Sequence, residues 1–136
     1  MQALLEAVLD GTRAEGVEGV DVMVRPALAA TAVDVLAADG FLLGTPANIG
    51  YMSGALKHFF DQVYYPCLTA KIGAPYGAYL HGNDDTAGAL RGVEVITKGM
   101  GWTRVHAPVT VTGAPTKADL EAAWDLGATV AATLVS

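Results

Sequence analysis

Apolar and polar positions along this chain follow two alternating periods, and each switch marks a new element. Leu4, Leu5, Val8 and Leu9 recur at helical spacing across residues 2–10, and Gly11 offers a stop. Residues 19–25 change to period two, with Val20, Val22 and Val24 on one face and Asp21, Met23 and Arg25 on the other. That pattern predicts a strand covered on one side, at a sheet edge, which Pro26 ends. Residues 27–38 predict a short helix with Val33, Leu36 and Ala37 inward and a cap near Thr31. Residues 40–44 are continuously apolar, as a strand buried on both faces would be, and Pro46, with no N–H for a ladder, is expected to stop it. Met52, Leu56, Phe59, Phe60 and Val63 then form one stripe of a helix over 52–63.

The second half repeats the rhythm. Residues 77–81 are a second continuous run, and Gly82-Asn83-Asp84-Asp85 carries turn chemistry. Thr86 can cap a helix over 87–98 with Leu90, Val93, Ile96 and Met100 inward. Residues 104–111 alternate through Val105, Ala107, Val109 and Val111, but Pro108 inside the run makes this an edge strand. Thr116 and Asp119 set a capping-box start for a last helix lined by Leu120, Trp124, Val130 and Leu134. Helices and strands alternate throughout, which is the order of an α/β layered fold with a parallel sheet, 40–44 and 77–81 being central.

Composition narrows the class. At 136 residues the expectation is one domain, 1–136, and 52% apolar against 16% charged residues excludes a disordered chain. Fourteen acids against eight bases give a net charge of −6, unlike a surface built for a phosphate backbone. No apolar run approaches the ~18 residues of a membrane span. The start has no basic segment before an apolar one, and Cys67 has no partner for a disulfide, so a reducing cytoplasm is expected.

Open α/β sheets bind ligands beyond the carboxyl ends of their strands, which points first to the stretch from Gly44 to Ser53. Backbone N–H groups of the small-residue loop within it, Ala47 to Gly50, and of the helix start after it are candidates to face a ligand. No Gly-Lys-Ser/Thr follows, so it is not a nucleotide P-loop, and Ser53 lacks the preceding glycine of a nucleophile elbow. Ser53 reads as a helix-start hydroxyl. A phospho-acceptor domain would need an Asp where Gly44-Thr45 stands. His81, Gly82, Asn83, Asp84 and Asp85 end the other central strand; they either face the same crevice or form a solvated turn with a capping aspartate. His58, His81 and His106 are scattered, and no metal site is argued.

Gly44-Thr45-Pro46, then Gly50, Met52-Ser53 and an apolar helix ending in Phe59-Phe60-Asp61, resembles the flavin-ring loop of flavodoxin-like NAD(P)H-dependent FMN and quinone reductases. The resemblance implies a three-layer flavodoxin-like fold, a parallel sheet of order 2-1-3-4-5 flanked by helices, with the first strand absent from this chain. A helix beginning uncapped at the first residue points the same way, to about 12–18 further residues ahead of Met1. In the family that segment is the first strand and the loop holding the FMN phosphate. The implied cofactor is FMN, touched by Thr45, Pro46, Ala47, Asn48, Ile49, Gly50, Tyr51 and Ser53 and by His81 to Asp85. The implied reaction passes electrons from NADPH or NADH through flavin to a quinone or similar acceptor. The glycine-rich loop of family reductases is replaced by His81 to Asp85. Tyr51, Tyr64 and Tyr65 are candidates to stack on the ring, Tyr64 and Tyr65 equally as core or subunit contacts, and a homo-oligomer is expected. The alternative is a flavodoxin-fold domain that binds no flavin and serves as an interaction module.

Overall fold

The computed structural model describes residues 1–135. Its helices are α1 (Gln2–Thr12), α2 (Ala32–Ala37), α3 (Gly54–Val63), α4 (Ala87–Gly99) and α5 (Lys117–Ala132). Its strands are β1 (Phe41–Asn48), β2 (Tyr51–Met52), β3 (Pro75–Gly82), β4 (Thr103–Arg104) and β5 (Val109–Thr112). β3 is central: β1 pairs with it in parallel from Phe41↔Tyr76 to Pro46↔His81, while β4 and β5 share its other edge, also parallel.

Period-two side chains on β3 feed two cores. Tyr76, Ala78 and Leu80 join Leu43, Leu56, Phe60, Val63, Val93 and Met100 beneath α3 and α4. Tyr79 joins Leu4, Val8, Val109, Val111 and Leu126 beneath α1 and α5. Side chains such as Phe60, Leu80 and Leu126, at 1%, 0% and 0% exposure, each contribute about 1.5–3 kcal/mol by leaving water. Helix–sheet–helix layering with this strand order is the flavodoxin-like arrangement expected from the sequence.

Several expectations are corrected in detail. Residues 19–25 form no strand, because no described strand lies beside them, and Val22, Met23 and Val24 stay exposed. On the side away from β3, residues 41–46 likewise have no ladder partner among the described residues. Pro46 does not stop β1, because a strand with one open side tolerates a missing N–H. Pro108 does more than mark an edge: it lies in the break that divides 104–111 into β4 and β5.

Gly11 does not end α1 but lies inside it. A Cβ on Gly11 would collide with the Trp124 carbonyl oxygen, and one on Gly127 with that of Val8, so the two glycines let α1 and α5 cross backbone to backbone. Trp124 itself is 40% exposed and only half lines the core. The helix over 52–63 starts later, at Gly54, because Tyr51 and Met52 are taken into β2.

Candidate functional site

The carboxyl ends of β1, β3 and β5 lie side by side, and the first carries the site's main feature. β1 turns back on itself into β2, with Ala47↔Met52 and Asn48↔Tyr51 as the antiparallel pairs. Ile49 and Gly50 between them have φ of 49° and 73°. Positive φ at both central positions is the type I′ turn of a two-residue hairpin, for which Asn-Gly or Gly-Gly is usual. A β-branched residue there is strained, and Ile49 is fully exposed at the tip. The expected open loop at 47–50 is therefore a hairpin.

Thr45 closes the hairpin's base. It is 1% exposed, its Oγ1 accepts the Ser53 N–H at 2.9 Å, and its hydroxyl donates to the Pro46 carbonyl at 2.8 Å. Its polar capacity is spent inside the protein. Ser53 caps α3, its Oγ accepting the Leu56 N–H at 3.1 Å, as its position in the sequence predicts.

The second loop joins the first at Gly82, whose Cβ position is 3.2 Å from Ala47 Cβ and 3.3 Å from the Asp85 carbonyl. His81 Nε2 donates to the Gly113 carbonyl at 2.6 Å; a carbonyl can only accept, so that nitrogen carries a proton. Gly113 N–H in turn donates to Gly82 O at 3.0 Å. These bonds knit the ends of β3 and β5 together. Asp85 caps α4, its Oδ1 accepting the Ala87 N–H at 2.8 Å, while the Thr86 side chain makes no capping bond. Asn83 and Asp84 are exposed.

The structure thus brings together Ala47, Asn48, Ile49, Gly50 and Tyr51 with Gly82, Asn83, Asp84 and Asp85 on one edge, and turns Thr45 inward. Sequence reasoning missed three residues of this edge. Gly113 follows the third parallel strand and was legible by the same carboxyl-end rule. Gly88 and Gly92 of α4 lie directly beneath the hairpin, which no local pattern announces.

For a flavin, the hairpin offers exposed backbone, an aromatic face on Tyr51 (39% exposed) and open space around Gly50. These suit the ring end of FMN. The three loops, 47–53, 82–86 and 112–116, contain no Lys or Arg to hold its phosphate. Among the described residues no group of His, Cys, Asp or Glu is placed to hold a metal ion, and no helix is long and apolar enough to cross a membrane.

Comparison with known proteins agrees with this arrangement. Over 60 residues, 44% of this chain, the sequence is 42% identical to a flavodoxin of Aquifex aeolicus, and the aligned part spans 31% of that protein. A flavodoxin from the domain Archaea superposes with a TM-score of 0.80 at 21% identity, covering 98% of this chain and 89% of that one. A WrbA-like flavodoxin from Agrobacterium tumefaciens gives 0.76 at 22% identity, covering 97% and 87%. Rubredoxin:oxygen oxidoreductase from Desulfovibrio gigas gives 0.80 at 19% identity, covering 98% of this chain and 32% of the larger one. At these identities the superpositions establish the flavodoxin fold. Residues 4–113 match the NADPH-dependent FMN reductase family, and the chain belongs to it.

Proposed function

We propose that this chain is an FMN-binding oxidoreductase that takes electrons from NADPH or NADH and delivers them to a quinone or similar acceptor. The observation that carries this reading is the exposed I′ hairpin beside Gly82 and Gly113, at the carboxyl edge of a parallel sheet in a member of the FMN reductase family. The nicotinamide gives up a hydride; a quinone takes two electrons and two protons, the second proton coming from solvent. FMN, when bound, supplies the redox chemistry that lets these two half-reactions be separated. The chain's own residues bind and orient. The backbone of 47–51 meets the ring, and Tyr51 offers a stacking surface. Asp84 places a carboxylate on the same edge, where it disfavours added negative charge on the ring.

Titration of the purified protein with FMN, followed by flavin fluorescence, tests the binding step. NADPH and NADH oxidation with a quinone then tests the reaction. Quenching that saturates, with acceptor-dependent nicotinamide oxidation, is expected; FMN that stays fluorescent at every protein concentration sinks the reading. A second reading is favoured by the absence of Lys and Arg from the three loops. In it the fold is kept as an interaction module without flavin, and the same titration separates the two.

A further inference from the structure

The tip of the β1–β2 hairpin holds a conformation that its own sequence disfavours. Ile49 sits at φ 49° with its side chain fully exposed, so no burial of its own offsets the strain. Such a residue persists only where its surroundings fix it. The surroundings are the first two turns of α4. A Cβ on Gly88 would fall inside the carbonyl oxygen of Gly50, a backbone atom with no freedom to swing aside. One turn on, a Cβ on Gly92 would stand 2.6 Å from Tyr51 Cε1 and 2.9 Å from Met52 Cε. Met52, at 2% exposure, anchors the returning strand in the core.

We propose that Gly88, supported by Gly92, is the positioning residue of the hairpin. The missing Cβ sets how low Gly50 and Tyr51 sit on α4, and so sets where they meet the flavin ring. This rests on the reading of this edge as the FMN site. Helix propensity argues in the opposite direction, since glycine is a poor helix former and alanine the best. If Gly88 served only the helix, Gly88→Ala would strengthen α4 and leave the hairpin alone. If it positions the hairpin, the same change lifts the Gly50 carbonyl by about 1.5 Å, from 1.9 Å to ordinary van der Waals contact. A misplacement of about 1 Å at a reacting centre already costs up to ~100-fold in rate.

The test compares the parent chain with Gly88→Ala, Gly92→Ala and Val95→Ala, the last on the exposed face of α4. Backbone amide resonances of 47–52 are recorded without ligand; FMN affinity and flavin midpoint potential are then measured. Gly88→Ala is expected to shift the 47–52 amides, weaken FMN about tenfold or more, and move the potential, with Val95→Ala changing none of these. Gly92→Ala meets only side-chain ends and gives a smaller change of the same sign, which keeps the test alive if Gly88→Ala folds poorly. Unmoved amides and an FMN affinity within about twofold of the parent in both glycine variants overturn the proposal. A parent that binds no FMN overturns the flavin reading and the ring-placing role together, whatever the apo amides do.

Discussion

Thr45 Oγ1 accepts the backbone N–H of Ser53 at 2.9 Å, eight residues along the chain and across the base of the hairpin. The bond holds the two ends of the 46–52 excursion together and hands the chain to Ser53, which caps α3. Thr45 is therefore a clasp.

Thr45→Val keeps the shape and removes the acceptor, leaving the part-buried Ser53 N–H unpaired at a cost of about 1–3 kcal/mol. Thr45→Ser retains the bond and loses only a methyl group. Urea unfolding should rank the proteins parent, Ser, Val in falling stability. A Val variant as stable as the parent would show that water replaces the bond.

The crossing of α1 and α5 supplies a second case in which two effects oppose each other. Gly11→Ala gains about 0.8–1.0 kcal/mol of helix propensity. Against it stands a Cβ placed inside the Trp124 carbonyl oxygen, and overpacking of this kind costs about 1–3 kcal/mol when the neighbour can adjust. A backbone carbonyl in a helix adjusts poorly, so packing wins: Gly11→Ala and Gly127→Ala should each lower the melting temperature. A rise in either would mean that the helices separate at little cost.

These glycines show what the sequence could and could not reveal. Apolar periodicity found the places of the helices and of β1 and β3, because burial on one face leaves its period in the chain. Yet over 27–38 it overran the short α2 and turned Val33 and Leu36 inward, where both are exposed and Val35 is buried. It read Gly11 as a helix end, since a glycine required by a distant helix looks the same as one required by a turn. The alternation at 19–25 is a true strand pattern, yet a strand forms only against a partner, and none is described beside it. For the candidate site, the carboxyl-end rule pointed to the edge where the structure brings 47–51 and 82–85 together. It could not see that Thr45 turns inward, nor that Ile49 adopts the left-handed region in a turn whose sequence does not ask for it.

Tyr79 gives a pH prediction. Its ring lies over Gly44 on the neighbouring strand, and burial raises its phenol above the usual value of 10.0. In the unfolded chain the phenol loses its proton near that value; in the folded chain it keeps it to higher pH. The unfolded state therefore binds fewer protons above pH ~10, and stability falls as pH rises from there towards the folded pKa. Below pH ~9 the contribution is fully present. Tyr79→Phe keeps the packing and removes the titration. Its unfolding free energy should lose less between pH ~9 and ~11 than the parent's. Parallel curves for the two proteins would show that the phenol titrates alike folded and unfolded.

Gly50 separates ligand effects from backbone effects more cleanly than any other position on the edge. Its φ is 73°, and no atom beyond its chain neighbours lies within 4 Å of where a Cβ would stand, so the open space there is either solvent or ligand space. Gly50→Ala introduces no clash in the protein, only the left-handed strain of about 1–2 kcal/mol. The apo protein should lose about that much stability, and Gly50→Val somewhat more because of its branched Cβ. If a flavin ring occupies the space, FMN affinity falls as well, steeply for Val and partly for Ala. Melting each protein with and without FMN reads both quantities, because ligand stabilisation is lost in proportion to affinity. Variants that lose apo stability but keep the parent's FMN-induced rise in melting temperature would place the ring elsewhere on the edge.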